Sequence, residues 1–368
     1  MKKNLIALAV LAVSGVASAQ SSVTLYGIAD IWIGSTKATL SSPGFSESVR
    51  QTKIDSGGVS SSRWGLKGSE DLGGGLKANF VLEQGFNLDN GSQASTGLAF
   101  SRQATVGLSS GFGEVLLGKA FTSYDDIRGT AENTFDANIS ATKLAWIGYN
   151  ANTSNTIKYV SPSFSGFSGG LSYALGEDKG LSLNNNNKAS NVMALNVQYA
   201  NGPVFVGYAH QTEKSGPKTE LGALAGANSL LVAAGQNALV PLDGSKVTYN
   251  LLTGSYDLGV AKVLASYNAV KATQPGTAGS AKANEYQVGV EVPLASNLAL
   301  GAGYAQSKVK VDGTSALKSA GYSAALVYSL SKRTALYAAL NQTKVNDSLG
   351  LGLEAKNSIY GLGVKHAF

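Results

Sequence analysis

The sequence predicts an all-β fold: a sixteen-stranded antiparallel transmembrane β-barrel with short turns at one end and long loops at the other. Three observations carry that expectation. The first is the C-terminal stretch, where Tyr360, Leu362, Val364 and His366 share one parity with the terminal Phe368, while Gly361, Gly363 and Lys365 share the other. An apolar strand at a free edge invites pairing with other chains, whereas a barrel that closes its last strand on its first has no edge and can turn that face to lipid. The second is the number of period-two segments, about sixteen at the ~10-residue length of a membrane-spanning strand. The third is the alternation of short and long gaps between those segments.

From the N-terminus, Lys2 and Lys3 precede an apolar run from Leu5 to Val13, and Ala17-Ser18-Ala19 has the form of a cleavage site. Residues 1–19 therefore read as a cleaved secretory signal peptide, since the run falls far short of the roughly 20 residues a spanning helix needs. Residues 20–368 show no break in composition and read as a single barrel domain.

The clearest strands set Tyr286, Val288, Val290 and Val292 against Gln287, Gly289 and Glu291; Tyr322, Ala324, Leu326 and Tyr328 against Ser323, Ala325 and Ser329; and Leu171, Tyr173 and Leu175 against Ser172 and Ala174. In a membrane barrel the apolar parity faces lipid and the small or polar parity lines water. Short gaps fall at Glu70 to Gly75, Ser110 to Gly113, Asn201 to Pro203, Leu258 to Gly259 and Pro293 to Ser296. Long polar gaps fall between them, at Gly34 to Gly58, Asn87 to Leu98, Phe121 to Ala145, Gly176 to Ser190, Glu213 to Ser245 and Ala272 to Ala283. Short periplasmic turns and long external loops produce this rhythm; a sandwich has no reason to keep it.

Composition agrees. With 45 glycines and 16 tyrosines against 7 prolines, the chain suits strands, tight turns and an aromatic interface. The absence of cysteine leaves an exported chain without disulfides or thiol chemistry. The formal charge of +6, or +4 without Lys2 and Lys3, is spread along the chain rather than gathered on a patch, so no nucleic-acid partner is expected.

Several segments go beyond pattern. Val23-Thr24-Leu25-Tyr26-Gly27 with Asp30, the run from Ser62 to Ala78 that begins Ser-Arg-Trp-Gly-Leu-Lys-Gly, Ser101-Arg102-Gln103-Ala104, Asn155-Thr156-Ile157-Lys158-Tyr159 with Ser161-Pro162, Leu330-Ser331-Lys332-Arg333-Thr334, and Gly361 to Phe368 resemble the general diffusion porins of the Gram-negative outer membrane, the β-proteobacterial type above all. The resemblance implies a homotrimer of sixteen-stranded barrels in the outer membrane, in contact with its lipid and lipopolysaccharide. Each barrel would hold a water-filled channel for passive diffusion of small hydrophilic solutes and ions, narrowed by a third external loop folded inward. Phe121 to Ala145 follows the fifth strand candidate and takes that place.

The expected constriction and selectivity residues follow. The loop carries Asp125, Asp126, Glu132 and Asp136 beside Arg128 and Lys143. An acidic-leaning loop facing a basic wall would set a transverse field across the lumen; the alternative is an ordinary solvated outer loop. Arg63 shares its parity with Gly65, Lys67 and Ser69, opposite Trp64 and Leu66, and so points inward; Lys67, Lys77 and Lys119 are expected to add positive charge. The resemblance places wall arginines at Arg63 and Arg102, which would favour anions. Arg102 shares the parity of Ala104, Val106 and Leu108, so it reaches the lumen only if apolar residues there pack inward under the loop; the other reading is a snorkelling arginine. Where such porins often carry a further arginine, this chain reads Asn150-Ala151-Asn152-Thr153, so the basic wall is thinner and the expected anion preference weak.

Phe368 is the expected assembly signal. No catalytic site, metal site or cofactor is expected: His occurs only at His210 and His366, and no G-x-S-x-G elbow or H-x-x-x-H pair is present. The alternatives are a solute-specific channel, which would show a track of aromatics along the lumen, and a barrel enzyme, which would need a polar constellation at the lipid interface or in the outer loops.

Overall fold

The computed structural model describes residues 22–177, 189–216, 244–276 and 278–368. Residues 1–19, the expected signal segment, and most of the gaps at 176–190 and 213–245 lie outside the described residues. The chain forms β1 (Ser22–Ser42), β2 (Phe45–Ser56), β3 (Arg63–Gly73), β4 (Leu76–Gly85), β5 (Gln103–Ser110), β6 (Gly113–Phe121), β7 (Asn152–Val160), β8 (Phe167–Leu175), β9 (Asn191–Asn201), β10 (Val204–Lys214), β11 (Lys246–Asp257), β12 (Lys262–Thr273), β13 (Ser280–Ala295), β14 (Leu298–Val311), β15 (Thr314–Ser329), β16 (Thr334–Asp347) and β17 (Glu354–Ala367). From β3 onward each strand pairs antiparallel with the next, and β17 returns to β1 through Ile28↔Ala367 to Ser41↔Glu354.

Seventeen segments make a closed barrel of sixteen positions because β2 and β3 share one. The outer part of β1, Ile31 to Ser42, pairs with β2, and its inner part, Ser22 to Ile28, pairs with β3. Between them the chain steps into the lumen at Gly57, whose φ of 75° only glycine adopts without strain. The step is fixed by Asp30, fully buried, whose carboxylate accepts from the backbone N–H of Gly58, Val59 and Ser60 and from the Tyr337 hydroxyl at 2.6 Å. This corrects one sequence expectation: Gly34 to Gly58 is mostly a long β1–β2 hairpin, not an irregular loop. Rich in Ser, Thr and Lys, the hairpin lacks the clean apolar-and-polar alternation that marks a lipid-facing strand.

The parities hold where the sequence is clearest. Tyr360 and Leu362 are 53% and 62% exposed on the outer face, while Glu285 and Gln287 are buried on the inner one. The turn after β3 has positive φ at Gly73, Gly74 and Gly75, a sequence of conformations that side-chain-bearing residues resist.

The buried apolar core is not between strands but between the inner wall and the segment linking β6 to β7. That segment, the third outer loop, carries α1 (Asp125–Arg128), a 3₁₀ turn at Thr134–Asp136 and α2 (Ala141–Ala145). Tyr124, Ile127, Ala131, Ala145 and Trp146 pack on Ala194, Phe205, Ala209, Tyr249, Leu251 and Leu264 of the wall.

Candidate functional site

The third loop crosses the lumen because the wall is shaped to receive it. Asn133 lies on Gly289 and Gly303, where an added Cβ would collide with its side chain. Phe135 lies likewise on Gly301, whose added Cβ would come within 2.7 Å of its ring. These bare patches let the loop tip approach the backbone of β13 and β14. Polar contacts then fix it: Asn133 Nδ2 donates to Thr142 and to Gln287 Oε1 at 3.0 Å, the Phe135 N–H donates to Glu291 at 3.2 Å, and Asn341 donates to the Ile139 carbonyl at 3.0 Å. Thr134, Phe135 and Asp136 all have φ between 52° and 59°, strained for L-residues and sustained by this docking. Asn138 reaches the opposite side, donating to the Gly57 carbonyl at 2.8 Å.

What the loop leaves open is a lumenal recess of about 300 Å³, lined by Ser60, Ser61, Arg63, Arg102 and Phe121 on one side and Asp125, Arg128, Phe135, Asp136, Lys143 and Tyr149 on the other. Arg63 sits inward on β3, its Nη1 donating to the Ser61 carbonyl at 3.1 Å. Arg102 also lies inside, against Gly85 and over the Phe121 ring at 5.3 Å. Its parity raises a conflict, for which apolar packing beneath the loop is the expected resolution. The actual reason differs: β5 begins at Gln103, so the alternation does not extend to Arg102, and Val106 and Leu108 face outward.

Both arginines share one carboxylate. Glu83 accepts from Arg102 Nε at 2.6 Å and from the Tyr26 hydroxyl at 3.0 Å, and lies 3.7 Å from Arg63 Nε. These three side chains together keep one positive charge in excess. Lys67 lies over the Tyr26 ring at 5.3 Å on the same inner face. Glu83 is not among the expected residues; its parity on β4 is readable, but its registry opposite Gly65 and Gln103 is not.

Lys119 pairs with Ala104 and is half-buried beside the register shift at Gly118 to Ala120, and it does not line the recess. One further expectation needs correction. Glu132 does not face the lumen but is buried, bound to Arg128 at 2.5 Å and to the Ser140 hydroxyl. Asp126 is held at the wall by Lys158 of β7 at 2.6 Å. Of the loop carboxylates, Asp125 and Asp136 line the recess. Asp136 is paired with Lys143 at 2.8 Å, so the loop is less acidic towards the lumen than its composition suggests.

Arg128 is clamped between Trp146 and Tyr149, at 5.7 and 5.1 Å from their ring centres. Burial would lower its pKa, but the Glu132 carboxylate outweighs this and it is raised overall. Burial also pushes the Asp125 carboxyl above its usual range, against the opposing effects of the Tyr149 hydroxyl and Arg128. At the place lacking the expected arginine, Asn150 donates from its N–H and its side chain to Glu213, each at 2.8 Å. His210 is hydrogen-bonded to Asn250 and Thr212, and His366 to Thr334. Phe368 exchanges two backbone hydrogen bonds of 3.0 Å with Gly27, closing the barrel.

A family model for Gram-negative porins matches residues 5–348. Over 100% of both chains, the sequence is 35% identical to outer membrane porin protein 32 of Delftia acidovorans and 31% identical to an outer membrane porin protein of Bordetella pertussis. Among solved structures it is similar to the anion-selective porin from Comamonas acidovorans, with 27% identity and a TM-score of 0.73 over 95% of this chain and 100% of the other. The fold is also that of the outer membrane protein OmpT of Vibrio cholerae in its trimer form, with 16% identity and a TM-score of 0.65 over 95% and 99% of the two chains.

Proposed function

The chain belongs to the Gram-negative porin family, and on that premise we propose that it is a passive outer-membrane channel for small hydrophilic solutes with a weak preference for anions. The observation that carries the preference is the pair Arg63 and Arg102 on one wall of the narrow lumen with Glu83 as their common counter-charge. Fixed positive charge in a narrow passage lowers the cost for an anion to leave bulk water and raises it for a cation. The anion selectivity of the Comamonas acidovorans porin supports the same sign.

The channel does no chemistry in this reading and takes no cofactor. The mature chain begins after residue 19 and assembles as a homotrimer in outer-membrane lipid. Support for the trimer comes from the trimer form of OmpT and from the apolar outer face near both termini, where Leu25, Ile33, Tyr360 and Leu362 are exposed.

Single-channel recording across a salt gradient tests the proposal. The expected result is unitary current steps with a reversal potential displaced to the anion side. Absence of steps from folded protein refutes a channel, and a cation-side potential refutes the selectivity.

A further inference from the structure

Two inward segments narrow the lumen: the third loop, and the step at residues 57–62 between β2 and β3. Val59, Ser60 and Ser61 of the step line the same recess as Arg63, Asp136 and Lys143. A segment that has left the sheet has no ladder partners for its backbone groups, so other contacts must hold it in place. The step has them on every side.

Towards the wall, Asp30 accepts from the backbone N–H groups of Gly58, Val59 and Ser60 at 2.9, 3.2 and 2.8 Å, and from the Tyr337 hydroxyl. Among the described residues no lysine or arginine nitrogen lies within 4.0 Å of it, so these donors alone meet its charge. Ser62 closes the step, accepting from the Asp30 N–H at 3.1 Å and donating to the Asp30 carbonyl at 3.0 Å. Towards the lumen, the Ser61 carbonyl accepts from Arg63 Nη1 at 3.1 Å and so holds the guanidinium at the edge of the recess. Towards the loop, Asn138 donates to the Gly57 carbonyl at 2.8 Å and to the Ser61 hydroxyl at 3.2 Å. Val59 also shares a buried apolar cluster with Ala137 and Ile139 of the loop and with Trp32, Tyr337 and Ala339 of the wall. Step and loop tip are therefore packed as one unit.

We propose that the β2–β3 step is a second constriction element, and that Asp30 is the positioning residue that decides where Arg63 and the loop tip stand. The aperture is then a closed ring, running from the wall at β3 to β6 through the step to Asn138 and back along the loop to Phe121. Its width depends on the step as well as on the loop. Its selectivity does too, because a fixed charge acts on a passing ion more weakly as the passage widens. This role of the step rests on the channel reading.

The test uses the folded full mature chain and four variants: Asp30→Asn, which puts an amide donor where an acceptor stood; Asn138→Ala, which removes the bridge and leaves Asp30 intact; Arg63→Ala; and Asp30→Asn combined with Arg63→Ala. Unitary conductance, reversal potential in a salt gradient and entry of uncharged sugars, from mono- to tetrasaccharide, into vesicles are read. Asp30→Asn and Asn138→Ala should each raise conductance and admit larger sugars. Asp30→Asn should also move the reversal potential towards cations. Loss of a negative charge by itself would move it the other way, so the sign separates displacement of Arg63 from a direct effect of the charge. In the Arg63→Ala background the same substitution should add less than it does alone, since coupled residues are not additive. A residue that only stabilises the barrel would lower the unfolding temperature and leave all three readings unmoved. Unchanged conductance and sugar entry in Asn138→Ala overturns the second constriction element, and a shift towards anions or full additivity overturns the role of Asp30. If Asp30→Asn yields no folded barrel, Tyr337→Phe, which removes one donor to Asp30 and keeps the ring, is held to the same outcomes at smaller size. Absence of current steps from the parent fails the channel reading instead, whatever the variants do.

Discussion

Arg102 Nε lies 2.6 Å from Glu83 Oε1, and this contact sets the charge of the narrow lumen, because Arg63 stands 3.7 Å from the same carboxylate. Replacing Glu83 with Gln frees both guanidinium groups while preserving an acceptor for Tyr26. Anion preference should rise. For an ion passing ~8 Å away in a water-like dielectric, one charge contributes about 0.5 kcal/mol, roughly twofold in the permeability of each sign of ion. Arg63→Ala and Arg102→Ala should move the reversal potential by a similar amount towards cations. Both shifts should shrink as salt approaches about 1 M, where screening acts within about 3 Å; a shift independent of salt would contradict this account.

Acidification should strengthen the anion preference through Asp125. Burial raises its pKa above the ordinary aspartate value, so on lowering the pH it takes up a proton before an exposed aspartate does. The proton removes a negative charge from the recess, and the reversal potential moves to the anion side. In Asp125→Asn that component of the pH profile should disappear, leaving the variant at neutral pH resembling the acidified parent. Identical profiles for the two proteins would exclude Asp125 as the titrating group.

Gly303→Ala tests how the loop is seated. The added Cβ would collide with the Asn133 side chain, so the loop tip must move off the wall towards the lumen. Overpacking of this kind costs about 1–3 kcal/mol. Unitary conductance should fall and thermal stability should drop. The matched control is Gly259→Ala, at an open turn with φ of 80°, which should leave conductance unchanged. Equal conductance in Gly303→Ala and the parent would show that the loop does not depend on this seat.

Deletion of Phe368 removes both backbone hydrogen bonds to Gly27 and the ring that lies against it. Export should proceed normally, while the yield of heat-modifiable folded barrels falls severalfold. Normal folded yield, read by gel mobility before and after heating, would deny Phe368 its role in closure.

Much of the barrel is written in the chain itself. The alternation at Tyr286 to Val292 and Tyr360 to Phe368, the short turns and the inward parity of Arg63 are local, since a strand repeats every two residues whatever it pairs with. What the alternation cannot carry is where it stops and what lies opposite. Arg102 sits one residue before β5 and so escapes the parity that would have turned it to lipid; Lys119 lies where a register shift interrupts the alternation of β6; and the β1–β2 hairpin, without a clean apolar face, reads as a loop. The pairing of Glu83 with two arginines and of Glu132 with Arg128 depends on register and on docking between segments that sequence alone does not align. Asn133 reaches Gln287 across 154 residues. Period-two patterning fixes a side chain's face, but only the closed barrel, with the third loop seated on Gly289, Gly301 and Gly303, decides its neighbours and therefore its charge environment.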